Sequence, residues 1–463
     1  MDQTPRFIRR LAVVAAATTL ISAPALVARA HDGTGHGANH GSWVGGQAVI
    51  DWNARAAQAA LDCGLAPTAN PLHESRMYAM MHIAIHDSLN AISHRAQPYV
   101  YSARARGAAP LAAIAAAARG TLIAAVGTLP DPFSACAATE VPAIETYYRT
   151  ALAAVPDGEA KDRGVSLGTA AARAIVALRT GDGSDTLLFD TAYPQGTAPG
   201  EYRFTSSDFP FAFAPRWGDV TPFALRSGAQ FRSDEPYSLD SLAYARDFNE
   251  VKALGGNGTT TPSARTEDQT EEARFWVESS PLLWNRLARS LAQQRRLDAW
   301  QVARLFGLLD IALTDGYIGA FNQKYDQKFW RPITAIHEAA TDGNSRTAPD
   351  PTWTPLVTTP PIPDHDSGHS VEGGAAAAVL RGFFGSDRAS FELCSYTLPP
   401  GQTCADSSPT TRSFHSFSQA AAENADSRVL VGFHFRHATT SGTTHGDKIG
   451  QHVVRNYLEP TRH

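Results

Sequence analysis

Apolar positions recur at helical spacing along most of the chain. Ala56, Ala59 and Ala60, then Met77, Met80, Met81, Ala84 and Ile85, repeat three and four apart and predict amphipathic helices from Trp52 onward. Alanine-rich helices are predicted through residues 110–127 and 143–179, and helical patterning returns from Glu267 to about Lys328. Beyond a proline-rich segment at 349–363, two more helices are expected near 368–384 and 415–431. Residues 181–261 break the rhythm. Turn sequences such as Tyr193-Pro194-Gln195-Gly196 and Pro199-Gly200-Glu201-Tyr202 mark long ordered loops with short helices, suited to line an entrance. No internal repeat and no sustained period-two pattern stands out. The predicted class is mainly α: a helical bundle with long ordered loops, in one body over residues 47–463.

The N-terminus reads separately. Arg6, Arg9 and Arg10 precede an apolar run over residues 11–27, and Ala28-Arg29-Ala30 then offers a small-x-small cleavage site. That is the pattern of an export signal over residues 1–30. The run is short for a membrane span and is broken by Pro24. Arg9-Arg10 also raises the twin-arginine route. Residues 31–46 follow as a flexible Gly- and His-rich linker, although such histidines can also chelate a metal. A secreted or periplasmic location is therefore expected, with no stable membrane span. The one other long apolar stretch, residues 111–129, carries Arg119 midway and reads as a buried amphipathic helix.

Length and charge narrow the classes further. At 463 residues the chain can bury a large core, and length alone allows two to three domains. Formal net charge is −5, and −8 once residues 1–30 are removed, so no nucleic-acid partner is expected. Four cysteines in an exported chain permit two disulfides. Cys394 and Cys404 flank Pro399-Pro400-Gly401 and suit a local staple; Cys63–Cys136 would tie two N-terminal helices.

The candidate chemistry lies at residues 320–440. Lys324 and Arg331 are seven apart, nearly two helical turns, so both can face one side. Pro332 disfavours helix at Arg331, so the helix should end just before it. Ser367-Gly368-His369 precedes an alanine-rich helix and therefore sits where free amides and the positive dipole end gather. Gly368 allows close backbone approach, while Asp366 or Ser367 can cap the helix. Arg428 and His434 are six apart, about 240° on an ideal helix, so they cannot share its face; Gly432 between them marks a break. Each patch alone reads as ordinary surface or core. Together they supply three cations, a hydroxyl, a glycine amide and two imidazoles, the groups that hold a phosphate-like oxyanion. One imidazole can coordinate or attack the central atom and the other can move protons.

The order Lys-x6-Arg-Pro, Ser-Gly-His, Ser427-Arg428-x5-His434 resembles the superfamily of vanadium-dependent haloperoxidases and type 2 phosphatidic-acid phosphatases. The string from Lys324-Tyr325 through Trp330-Arg331-Pro332-Ile333-Thr334-Ala335-Ile336 is more similar to the soluble haloperoxidase branch, as are the His82–Asp87 helix and Arg265-Thr266-Glu267-Asp268-Gln269. The resemblance implies a haloperoxidase-like fold, possibly of two packed four-helix bundles. It implies that Lys324, Arg331 and Arg428 neutralise the equatorial oxygens of vanadate, with Ser367 and the Gly368 amide bonded to them. His434 would be the axial vanadium ligand, His369 the acid–base group, and Lys324 the group polarising bound peroxide. The partners implied are hydrogen peroxide and a halide. In the alternative, a small phosphate ester is hydrolysed through attack by His434, with His369 protonating the leaving alcohol. A third reading is a non-catalytic helical binding protein.

Three departures from the family pattern bear on these expectations. Asp366 stands where proline is usual, which adds negative charge that either weakens oxyanion affinity or caps the helix. Ala438 stands where many members have aspartate, and Phe321 and Ile362 occupy positions often held by Trp, and by Phe or His, around the halide. His82 with His86, and His337-Glu338, have spacing that can suit a metal, but packed helix histidines explain both pairs and no third ligand is apparent.

Overall fold

The structure, a computed structural model, describes residues 37–461; the export signal and residues 31–36 of the linker lie outside them. Five helices come first: α1 (Gly37–Asp62), α2 (Pro71–Ser93), α3 (Pro110–Gly127), α4 (Ala137–Ala153) and α5 (Glu159–Leu178). A loop-rich stretch follows, with the short pair β1 (Phe189–Asp190) and β2 (Ala212–Phe213). Next are α6 (Leu242–Leu254), α7 (Glu267–Phe275), α8 (Ser280–Gln294), α9 (Ala299–Gln327) and α10 (Pro332–Glu338). The chain closes with α11 (Gly368–Phe384), the antiparallel pair β3 (Arg388–Leu393) and β4 (Arg412–Ser416), α12 (Phe417–Leu430) and α13 (Arg436–Asn456).

Local sequence explains where these helices begin and end. Asp298 caps α9 in a reciprocal box with Gln301, and Lys328 ends it in the left-handed conformation, at φ 49°. Thr266 and Gln269 form the same box on α7, and Asn70 caps α2 ahead of Pro71. Helix α9 is the shared spine. It packs on α1 and α2 at one end of the sequence and on α11 and α13 at the other, and it is buried along nearly its whole length.

The tightest seam is between α11 and α13, and glycine makes it possible. A Cβ at Gly446 would lie 1.8 Å from the Val371 carbonyl oxygen, one at Gly374 2.3 Å from that of Thr443, and one at Gly450 2.4 Å from that of Ala375. Only backbones without side chains approach so closely. A similar seam joins α3 and α5, where a Cβ at Gly168 would fall 2.2 Å from the Ala113 carbonyl oxygen.

Several boundaries differ from the sequence reading. Helix α1 starts at Gly37, inside the stretch read as linker; Gly46 is buried where a Cβ would meet the Leu297 carbonyl oxygen at 2.3 Å, so this glycine serves close packing. The helical region at 143–179 is two helices parted around Gly158, whose φ of 137° no helix accepts. Strand β3 alternates exposed and buried along Arg388–Leu393, a true period of two but only six residues long. Helix α13 was not foreseen. Its buried stripe runs through Ala438, Gly442, His445, Gly446, Ile449 and Val453, a helical face built mostly of residues with little apolar weight.

Both disulfides form, Cys63–Cys136 between the end of α1 and the start of α4, and Cys394–Cys404 as a local staple. Among the described residues, α3 alone is long and apolar enough to cross a membrane by length and composition. Most of it is buried, it packs against α2, α4 and α5, and Arg119 pairs with Glu145 on α4.

Two stability measurements follow. Gly446→Ala gains about 1 kcal/mol of helix propensity but forces α13 off the Val371 carbonyl at a cost of about 3 kcal/mol. A net loss of about 2 kcal/mol is expected in urea unfolding. Breaking Cys63–Cys136 by paired Cys→Ala releases a loop with a sequence separation of 73, and a loss of about 4 kcal/mol is expected from chain entropy.

Candidate active site

Four chain reversals bring the anion-binding groups together. Lys324 lies in the last turn of α9, which ends at Gln327. The chain then runs extended, so that Arg331 (φ −81°, ψ 155°) sits on a short straight link before Pro332 opens α10. Helix α9 thus ends a turn earlier than the proline alone required. Ser367 is the N-cap residue of α11, and Gly368 its first residue. Arg428 lies in the last turn of α12; Gly432, at φ 86°, turns the chain so that the Phe433 and His434 amides both donate to the Arg428 carbonyl, at 3.1 and 3.2 Å.

The side chains converge. The Arg331 Nη1 group donates to His434 Nε2 at 2.9 Å and to the Phe433 carbonyl at 2.8 Å, and Arg331 Nε to the Ile362 carbonyl at 2.7 Å. Lys324 Nζ donates to the Pro363 and Asp364 carbonyls, each at 2.9 Å. A Cβ on Gly368 would touch only Lys324 Cε, at 4.0 Å, so open space lies between the start of α11 and this lysine. Arg428 Nη1 donates to the Trp276 carbonyl at 2.7 Å, and His369 Nε2 to the Glu278 carbonyl at 3.1 Å. Lys324, Arg331, Ser367, Arg428 and His434 are buried, whereas Gly368, His369 and Ile362 are partly exposed and mark the opening.

Hydrogen-bond logic fixes the tautomers. Arginine can only donate, so His434 Nε2, the ring nitrogen nearer Arg331 Nη1, carries the lone pair; Asp364 Oδ1 lies 2.9 Å from Nδ1 without the geometry of a hydrogen bond. A carbonyl can only accept, so His369 carries its proton on Nε2. Burial, reinforced by the surrounding cations, holds both imidazoles well below the ordinary histidine range, so both are neutral at pH 7. Burial also lowers Lys324 and Arg331, and brings Arg428 down to about 9, helped by Arg331. The Asp364 carboxyl is pushed up to about 7 by burial, against the pull of Arg331 and Lys324.

These cations are short of partners. Arg331 Nη2 and Arg428 Nε are buried with no acceptor. Ser367 does not cap its helix; its hydroxyl accepts from Ser370 at 2.9 Å. Asp366 does not cap it either: its oxygens go to Ser233 and His445. The capping expected from the sequence is absent at both residues, and the N-terminus of α11 is left open. A tetrahedral anion answers all of these needs at once.

Three contributors were missed from the sequence. Asp364 orients His434, and the Trp276 and Glu278 carbonyls hold Arg428 and His369. Asp364 was findable as an acidic residue beside an anion motif; main-chain carbonyls leave no mark in a sequence. Of the departures, Ala438 is buried and its carbonyl accepts the Ser367 N–H at 2.9 Å, while Phe321 packs edge-on against Phe213. The weaker metal candidates resolve as packed histidines. His82 faces Asn53 and Asp310, His86 faces Asp87, and His337 bonds the Trp353 carbonyl. No group of three or more potential ligands gathers among the described residues.

Known proteins share this architecture. Residues 304–462 match the family described as the VCPO second helical-bundle domain. The vanadium chloroperoxidase of Curvularia inaequalis is 27% identical over 201 residues, 37% of this chain and 32% of that protein, so the chain aligns with only about a third of its relative's length. A bacterial vanadium-dependent iodoperoxidase superposes with a TM-score of 0.71 at 22% identity, covering 90% of this chain and 98% of that one. A bacterial vanadium-dependent chloroperoxidase in its apo form gives 0.64 at 14% identity, over 85% and 96%. The fold is that of the vanadium haloperoxidases. The resemblance to the haloperoxidase and type 2 phosphatidic-acid phosphatase superfamily thus holds in family match, sequence relative and architecture.

The residues present fit vanadate. Two orphaned guanidinium nitrogens, an uncapped helix start and the space at Gly368 suit its oxygens, and His434 Nε2 offers one nitrogen lone pair. Arg428→Gln keeps the bulk but loses the charge. It should weaken inorganic phosphate binding at least about tenfold, the worth of one charge-assisted hydrogen bond, as read by calorimetry.

Proposed function

We propose that this chain is a secreted vanadium-dependent haloperoxidase-like enzyme that oxidises halide with hydrogen peroxide at a vanadate held by His434. The observation that carries the reading is the neutral His434, whose Nε2 meets Arg331 Nη1 with the Lys324 and Arg428 charges close by and Asp364 Oδ1 2.9 Å from its Nδ1. When bound, vanadate supplies a Lewis-acidic centre that activates peroxide toward halide. Lys324, Arg331 and Arg428 neutralise the oxyanion, and Ser367 and the Gly368 amide donate to it. The neutral His369, at the partly exposed mouth, accepts a proton from incoming peroxide and returns it to departing water. The net reaction is halide plus peroxide plus one proton, giving hypohalous acid and water. Secretion is supported by the export-like N-terminus and by two disulfides.

A second reading rests on the same lone pair. His434 Nε2 can attack phosphorus in a small phosphate ester, making this an acid phosphatase. There His369 must protonate the leaving alcohol, and the Arg428 and Lys324 charges that keep it neutral oppose that role. The peroxidase reading is favoured by the haloperoxidase relatives, not by this histidine, which must take up a proton in either reaction.

The two are separated by parallel assays of one preparation. With orthovanadate, peroxide and bromide or iodide, halogenated product is expected; phosphate-ester hydrolysis without halogenation would overturn the peroxidase reading. His434→Ala should abolish whichever activity is found. Asp364→Asn should weaken vanadate binding about 10–100-fold, as removal of a partner that orients a metal ligand typically does.

A further inference from the structure

Asp366 is fully buried one residue before the uncapped start of α11. Its Oδ1 accepts from Ser233 at 2.6 Å and lies 3.1 Å from His365 Nε2; its Oδ2 accepts from His445 Nδ1 at 2.9 Å. Burial alone would raise this carboxyl, yet His445, His365 and Ser233 outweigh it and hold it below the usual range, so it is a carboxylate at neutral pH. The neighbouring histidines do not cancel its charge. His365 is itself lowered by burial, and its Nε2 also donates to the Asp234 carbonyl at 2.6 Å. His445 Nε2 is buried with no partner, so the ring's one contact in this cluster is to Asp366.

Neither Asp366 oxygen accepts a hydrogen bond from the first turn of α11, so capping does not explain the residue. Its charge lies within reach of the site, because Asp366 adjoins Ser367 at the start of α11 and Lys324 Nζ bonds the Asp364 carbonyl two residues before it at 2.9 Å. A fixed negative charge here competes with a bound oxyanion for the same lysine and for the same positive helix end.

We propose that Asp366 is an affinity-setting counter-charge: a buried carboxylate that keeps orthovanadate and phosphate exchangeable at this site. The inference rests on the oxyanion site of the proposed function and adds a determinant of its affinity. Removing the charge has two opposed effects. The anion loses a repulsive neighbour, and Lys324 loses an attractive one. Lys324 keeps its two carbonyl partners at 2.9 Å, and the bound anion itself replaces the lost attraction, so relief of repulsion wins.

The test is calorimetric binding of orthovanadate and, separately, inorganic phosphate to the full chain. Asp366→Asn keeps one acceptor oxygen for Ser233 and turns its amide N–H toward His445 Nδ1, which accepts it in the other tautomer, and both anions should bind about tenfold tighter, equal to about 1.4 kcal/mol. A structural lesion gives no gain of affinity. Ser233→Ala, which loosens the same cluster but keeps the charge, should stay within about threefold of the parent. Unchanged or weaker binding by a folded Asp366→Asn, or equal tightening by Ser233→Ala, overturns the proposal. If the asparagine protein does not fold, Asp366→Ser is the second neutral variant, and the same tightening is required of it. Failure of the unmodified chain to bind either anion is a separate outcome and overturns the oxyanion site itself.

Discussion

Three cations buried around one small void constitute the constraint on which this molecule turns. Desolvating Lys324, Arg331 and Arg428 is costly, and only part of that cost is met by carbonyls of the Pro363, Asp364, Ile362, Phe433 and Trp276 residues. Two guanidinium nitrogens remain unpaired. The fold therefore stores an unmet demand for negative charge at the start of α11. Neighbouring features answer to the same burial: neutral histidines, a carboxyl at Asp364 pushed up to about 7 against the pull of the cations, and a helix end left without a side-chain cap.

Holding such a site takes rigid elements. The α11–α13 seam, in which glycines let backbones touch, sets the height of Ser367: a Cβ at Gly442 would lie 2.9 Å from the Ser367 carbonyl oxygen. The Ser367 N–H is tied to Ala438 on the same helix. Helix α9 delivers Lys324 from the opposite side, and its burial against helices from both halves of the chain fixes the register. Positioning by packed helices, with loops contributing only the turns, suits a site in which small displacements weaken several charge-assisted bonds at once.

Much of this was legible beforehand, for identifiable reasons. Lys324, Arg331, Ser367, Gly368, His369, Arg428 and His434 are polar residues at punctuated helix ends, and Pro332, Gly368 and Gly432 are the punctuation. The starts and ends of α11 and α12 followed from alanine periodicity and matched to within two residues. Helix α13 escaped because glycine, alanine and histidine fill much of its buried face, leaving only Ile449 and Val453 as large apolar residues on that stripe. The expectation of a cap at Ser367 or Asp366 failed because tertiary partners, Ser370 for one and Ser233 with His445 for the other, claim those side chains. Asp364 and the 276–278 wall depend on contacts across 70 residues or more, and no local pattern encodes them.

The Cys394–Cys404 staple has a reach that its ten-residue separation conceals. Arg286 donates to the Cys394 carbonyl at 2.8 Å while gripping the Glu278 carboxylate with both terminal nitrogens. The Glu278 carbonyl in turn receives His369. A covalent crosslink at the periphery is thereby joined, through one arginine and one glutamate, to the imidazole at the mouth of the cage. The position of that imidazole thus leans on a covalent bond well outside the cage, and slack in the staple would be passed inward along the same two side chains.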